Sequence, residues 1–234
     1  MGHNEVKALT FDVGGTVFNW QGATQTAVGA LAADRGVELD VKAFCLSWRG
    51  DMFRMLAKVR HGELPCMNAD QLHRAVLDPL GEANPELNLT NADKDALTAV
   101  WHHMDPWPEF PAALPKLRSR YTTTVLTVLS LGIAVDCSKR SNLSWDAIMS
   151  CEMLGAYKPD AAAYERGAEL LGRTPDEVMM VASHPGDLRA AMAVGFRTAF
   201  VLPRYDEPGG NDDGNPEDFD VVADDFADLV AKIV

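Results

Sequence analysis

The sequence predicts an α/β fold, with a Rossmann-like parallel sheet core and an inserted helical cap domain. Three observations lead there. The second half alternates short apolar or β-branched runs with helical segments, the pattern of a parallel sheet. Residues 41–104 show helical spacing with no convincing strand. The proline-rich stretch MDPWPEFP at 104–111 separates the two regimes and reads as a hinge.

Taken in order, VKALTFD (6–12) reads as a buried strand, and residues 22–35 as a helix ending near Gly36. Between 41 and 104 there are three apolar faces. Phe44, Trp48, Met52, Met55, Leu56 and Val59 form one, Leu72, Val76, Leu77 and Leu80 a second, and Leu97, Val100, Trp101 and Met104 a third. After the hinge come a helix near 111–119, the strand YTTTVLTVL (121–129), a helix near 131–141 and a short strand at 147–150. A helix over 160–171, a strand at 177–183, a helix at 185–194 and a strand at 197–202 follow. Residues 203–219 read as an acidic Gly/Pro-rich loop, and 222–233 as a closing helix. The expected domains are therefore a core of 1–19 and 106–234, and a cap of 20–105.

Bulk properties narrow the function. The 234 residues are 47% apolar and carry a formal net charge of −13. Such an acidic chain is a poor candidate for nucleic acid or an anionic membrane surface. No apolar run reaches the roughly 20 residues of a membrane span. The start MGHNEVKALTF lacks a signal-peptide pattern and fits a myristoylation motif poorly. Cys45, Cys66, Cys137 and Cys151 show no CxxC spacing, so reduced thiols and a cytoplasmic location are expected. An anionic substrate would be repelled by the overall field, so local cations must reverse the potential where it binds.

In open α/β sheets, ligands sit beyond the carboxyl ends of the strands. Asp12, Thr127 and Ser183 fall at such ends. Asp12 is followed by Gly14, Gly15 and Thr16, a turn that allows close backbone approach and presents N–H groups to an anion. A dinucleotide-binding reading fails because GxGxxG is absent. Asp12 could also merely cap the turn, and Thr127 merely fill a strand end. Lys158, beside Pro159 at a predicted helix start, gains nothing from the helix dipole, which makes a purely structural role less attractive. Asp187 precedes or opens a helix, where an acid is favoured in any case. HisHis at 102–103 is a weak metal signal, because adjacent side chains on a helix diverge. GGNDDGNPED (209–218) lacks EF-hand spacing and reads as a solvated loop.

The segment Asp12-Val13-Gly14-Gly15-Thr16-Val17 resembles the first motif of the haloacid dehalogenase superfamily. The later motifs keep that superfamily's order: Thr127, Lys158 in GAYKPDAAAY, and Asp187 in VMMVASHPGDLRAAMAVGFRTAFV. The lysine and final segments, with PWP at 106–108 and WD at 145–146, are most similar to the L-2-haloacid dehalogenase branch. The resemblance covers nearly the whole chain. It implies a hydrolase in which Asp12 displaces a leaving group from C2 of a small anionic carboxylic acid, and water then cleaves the resulting ester. No metal or other cofactor is expected. Asp12, Thr127, Lys158 and Asp187 are the implied catalytic set. Gly14, Gly15, Thr16, Trp20, Arg49, Val128, Ser183 and His184 are the implied substrate contacts, with Arg49 near the departing halide and Arg54 and Arg60 as rivals. The resemblance also implies a homodimer.

Departures from the pattern leave alternatives. Phosphatases of the superfamily carry a second Asp where this chain has Gly14, and they bind Mg²⁺ with acids of the final motif, where Ser183 stands. Displacement at carbon with a good leaving group needs neither. Dehalogenases usually carry Tyr or Phe at position 14 and Asn at position 128, where this chain has Gly and Val. These changes suggest a pocket reshaped for a bulkier or different substrate, such as a strained azetidine-2-carboxylate. The remaining readings are an Mg²⁺-dependent phosphatase and a binding protein without activity.

Overall fold

The computed structural model describes residues 5–205 and 215–234. Its centre is a six-stranded parallel sheet in the order β3-β2-β1-β4-β5-β6. The strands are β1 (Ala8–Phe11), β2 (Thr122–Thr127), β3 (Ala147–Ser150), β4 (Val178–Ala182), β5 (Arg197–Val201) and β6 (Val221–Ala223). β1 and β4 are buried along their whole length, as expected of central strands covered on both faces. The strand order reverses direction beside β1, and the crevice beyond the carboxyl ends there is the topological switch point of such sheets.

Between Asn19 and Asp105, after β1, the chain forms the α-helices α1 (Trp20–Asp34), α2 (Val41–Arg60), α3 (Ala69–Ala83) and α4 (Asn91–Ala99). Their starts are set locally. The Asn19 and Asp40 side chains accept the backbone N–H of Gly22 and Ala43, and Asn68 and Thr90 form reciprocal capping boxes with Gln71 and Asp93. The apolar faces read from the sequence turn inward, burying Trp48, Met52, Leu72, Val76, Leu97 and Trp101. The core helices are α5 (Phe110–Arg118), α6 (Leu131–Arg140), α7 (Cys151–Leu154), α8 (Ala161–Leu170), α9 (Pro185–Ala193) and α10 (Phe226–Ile233).

Two elements differ from the expected pattern. The closing helix is preceded by β6, which pairs with β5, and Asp225 then caps α10. Three strand residues are too few to show a period, so the helix expected over 222–233 takes in the last two residues of β6. The single turn α7, stopped by Gly155 at φ 70°, is likewise too short to leave a periodic signal. Most of the acidic loop, including much of the 209–218 segment, lies outside the described residues, as do the first four.

The helical insertion leaves and returns through one point. The Asn19 N–H donates to the Asp105 carbonyl and the Trp107 N–H to the Val17 carbonyl, both at 2.9 Å, and Phe18 bridges antiparallel to Pro106. Further ties join insertion and core. Arg60 on α2 pairs with Asp160, and the Tyr157 hydroxyl donates to the Met67 carbonyl at 3.0 Å. Asp70 on α3 accepts the Ser130 hydroxyl and meets His102 Nε2 at 2.7 Å, while His102 Nδ1 meets Asp136 on α6 at 2.7 Å. The two adjacent histidines therefore do not form a metal pair; His102 links insertion and core instead.

Partial burial draws the pKa of His102 down, but its hydrogen bonds to Asp70 and Asp136 outweigh this and raise it above the ordinary 6.5. A folded-state pKa above the unfolded value gives stabilisation that is complete at lower pH and lost as pH rises through the folded pKa. Thermal melts of the wild type should thus lose stability, relative to His102→Gln, as pH rises above 6.5, by about 1 kcal/mol or less, as for a half-exposed ion pair.

Candidate active site

The first apolar strand delivers Asp12 to the switch point, where its N–H donates to the Val181 carbonyl at 3.0 Å. Gly15, at φ 97°, turns the chain, a conformation that L side chains rarely adopt. The turn brings Thr16 back, and its hydroxyl donates to Asp12 Oδ2 at 2.9 Å while accepting the Ser183 N–H at 2.9 Å. Thr16 thereby ties the end of β1 to the end of β4. His184 Nδ1 lies 3.1 Å from the same carboxylate oxygen.

Lys158, on the loop between α7 and α8, donates to Asp12 Oδ1 at 3.0 Å and to Asp187 Oδ2 at 2.6 Å. Asp187 stands in the first turn of α9, where the helix dipole favours an acid. Its other oxygen accepts the Tyr164 hydroxyl at 2.5 Å. Both Asp12 and Lys158 are nearly closed off from solvent, at 6% and 7% exposure. Burial alone would raise the carboxyl pKa of Asp12, but the charge of Lys158, with the His184 contact, holds it far below the usual range. Burial alone would lower Lys158, but the two carboxylates hold it above its ordinary value. Burial and the neighbouring Asp187 push the Tyr164 hydroxyl well up, so it stays a donor. The arrangement presents a permanently ionised, water-poor carboxylate whose two oxygens are held at fixed positions.

Arg49, on α2, is 2% exposed and its Nη2 donates to the Gly14 carbonyl at 3.3 Å. The guanidinium packs on the faces of Phe53, Trp20 and Trp101 at 4.5, 5.3 and 5.4 Å. Of the three candidate arginines, it alone reaches the turn after Asp12; Arg54 pairs with Asp51 and Arg60 with Asp160. Trp20 is buried against Arg49, and Trp48 donates its indole N–H to the His73 carbonyl at 2.9 Å, a packing role. Burial and the charge of Arg49 drive the His73 pKa well below 6.5, so it adds no cation.

The sequence-derived set is thus brought together around Asp12, with exceptions. Thr127 ends β2 as expected, yet its hydroxyl accepts the Leu129 N–H at 3.1 Å, a local turn contact. Val128 is partly buried against the core. Beside Gly14, Arg49 and Leu129 stand within 3.3 Å of where a Cβ would lie. Sequence reasoning missed Tyr164. It sits six residues after Lys158 in the quoted lysine segment, and its helical position on α8 was the available signal. Trp107, whose indole N–H donates to the Gly15 carbonyl at 3.1 Å, is a second supporting contact.

The sequence profile of the haloacid dehalogenase-like hydrolases matches residues 6–195. The chain belongs to this family. Among solved structures, the dehalogenase-like fold aligns with the defluorinating L-2-haloacid dehalogenase Rha0230 at 34% identity, covering 97% of this chain and 95% of that one, with a TM-score of 0.89. The L-2-haloacid dehalogenase PA0810 aligns at 32% identity, over 97% and 98% of the two chains, with a TM-score of 0.88. Among curated proteins, (S)-2-haloacid dehalogenase 4A of Burkholderia cepacia is 29% identical over 133 residues, 54% of this chain and 52% of that protein. Haloacetate dehalogenase H-2 of Moraxella sp. (strain B) is 31% identical over 110 residues, 45% and 48% of the two chains. The match spans about half the length of these curated relatives.

The charge cluster at the centre of this dehalogenase-like site makes a direct prediction. Lys158→Met would leave Asp12 buried without its cation, an error that costs about 3–5 kcal/mol when a buried pair is broken. In the wild type, the depressed Asp12 pKa gives stability that is present above the unfolded value of 3.8 and lost as pH falls through the folded one. Urea unfolding should therefore show a less stable variant whose acid transition begins at higher pH.

Proposed function

We propose that this protein is a metal-independent hydrolase that displaces the leaving group from C2 of a small carboxylic acid, most simply a 2-haloacid. The observation that carries the reading is the buried Asp12 carboxylate, pinned by Lys158 on one oxygen and Thr16 on the other, with Arg49 at the opposite side of the turn. The helical insertion, residues 20–105, acts as a cap over a core of 1–19 and 106–234, and supplies Arg49.

In the proposed reaction, an Asp12 oxygen attacks C2 from the face opposite the halogen. The C–O bond forms as the C–halogen bond breaks, and the halide leaves with the bonding pair toward Arg49. Because the Asp12 pKa is depressed, its intrinsic nucleophilicity is low, and alignment and exclusion of water must supply much of the acceleration. Water then attacks the carboxyl carbon of the Asp12 ester, releasing the 2-hydroxy acid and regenerating the aspartate. Lys158 balances the charge at Asp12 and can pair with the substrate carboxylate. Asp187, held by Tyr164, orients Lys158 or the hydrolytic water. Thr127 shapes the turn that carries Leu129. Gly15, Thr16, Ser183 and His184 frame the carboxylate, and Trp20 backs Arg49.

The donor set argues against phosphoryl transfer. Gly14 offers no general acid, Ser183 replaces a carboxylate, and the Asp12 oxygens are already engaged by Lys158, Thr16 and His184. A second reading has one favouring observation. Opening a strained cyclic amine such as azetidine-2-carboxylate requires a proton on the departing nitrogen, and His184, in contact with Asp12, could supply it. The four cysteines are unpaired, consistent with the proposed cytoplasmic location. No described helix is long and apolar enough to cross a membrane.

The test is halide release from 2-chloropropionate in EDTA, run beside azetidine-2-carboxylate and, with Mg²⁺, p-nitrophenyl phosphate. Halide release insensitive to EDTA is expected, with loss of at least about a thousandfold in Asp12→Asn, as when a nucleophile is removed. Metal-dependent phosphate release without halide release would contradict the reading.

A further inference from the structure

Gly14 is not in the left-handed region; among the neighbouring glycines, Gly15 alone has a positive φ. Backbone conformation therefore does not explain the glycine at position 14. Space does. A Cβ built there would lie 3.3 Å from Arg49 Nη2 and 3.3 Å from Leu129 Cδ1, closer than ordinary side-chain contacts. The guanidinium rests on the Gly14 carbonyl at 3.3 Å. It has little room to retreat, because Trp20 and Trp101 on its other sides are fully buried.

We propose that Gly14 is a positioning and specificity residue: its missing side chain seats Arg49 on the nucleophile turn, so a buried cation fills the space beside Asp12 that a pocket wall would otherwise take. The inference rests on the displacement reaction proposed above and narrows its substrates. The space is filled rather than opened, so the site suits short haloacids with small substituents at C2. The cation meets the halide as charge develops in a water-poor setting, where an ionic contact is strongest. Its contribution grows as the leaving group becomes poorer, so chloride depends on it more than bromide does. Any side chain at position 14 must shift the guanidinium or Leu129.

The test uses the full chain as wild type, Gly14→Ala, Arg49→Ala, Leu129→Ala and the doubles Gly14→Ala/Arg49→Ala and Gly14→Ala/Leu129→Ala. Each is measured for kcat and KM on 2-chloropropionate and 2-bromopropionate, and for thermal stability. A crystal structure of Gly14→Ala completes the set. The account expects Arg49 displaced from the residue-14 carbonyl and kcat for the chloro acid lowered about tenfold or more. The bromo acid should lose less. The penalty, whether seen in turnover or in stability, should vanish in the Arg49→Ala background. That cycle still decides the matter if Gly14→Ala folds poorly. An unmoved Arg49, a penalty that persists without Arg49, or one relieved by Leu129→Ala would overturn the proposal. A wild type that releases no halide, with Arg49 displaced in Gly14→Ala, would instead defeat the reaction and leave the positioning intact.

Discussion

The arrangement depends on one buried ionic contact, the Lys158 ammonium held between Asp12 and Asp187. Three charges removed from water are costly unless each is matched in geometry and hydrogen bonding. Here the matching is nearly complete. Asp12 has Lys158 on one oxygen and Thr16 and His184 on the other, and Asp187 has Lys158 and Tyr164. The fold supplies these partners from six places in the chain: the end of β1, the turn after it, the loop before α8, α8 itself, the loop after β4 and the first turn of α9. A parallel sheet with its switch point at β1 is what allows such distant segments to converge.

The second constraint is the path of the insertion. Because residues 17–19 and 105–107 are hydrogen-bonded to each other, the four helices are anchored within a few residues of Asp12. Arg49 can then approach Gly14 from α2, while Arg60, Met67 and Asp70 contact the loops carrying Asp160, Tyr157 and Ser130. The loop holding Tyr157 and Asp160 also holds Lys158, so the insertion braces the segment that places this cation. A cation brought in this way offsets the repulsion that a net charge of −13 would exert on an anionic substrate.

Much of this was legible in the residues. Asp12 and Ser183 sit at the ends of apolar runs that could only be buried strands, and the Gly-Gly-Thr turn marked the first of them as special. The hinge was legible because prolines interrupt a long helical pattern. What escaped was of two kinds. β6 and α7 are too short to carry a period. Contacts between distant segments leave no local trace: Tyr164 looks like any aromatic on an amphipathic helix, and nothing near His102 in the chain shows that it bridges Asp70 and Asp136. Nothing in one dimension reveals that an arginine 35 residues away lies beside the glycine at 14.

The central claim is that the side chain of Asp12 becomes covalently joined to substrate carbon. A single turnover of 2-chloropropionate with excess enzyme in water enriched in oxygen-18, followed by mass analysis of the peptide containing residue 12, tests this directly. The account predicts a two-dalton gain in that peptide, with unlabelled oxygen delivered to the 2-hydroxy acid. Label confined to the product, with the peptide unchanged, would mean that water attacks the substrate itself and that Asp12 is not the nucleophile.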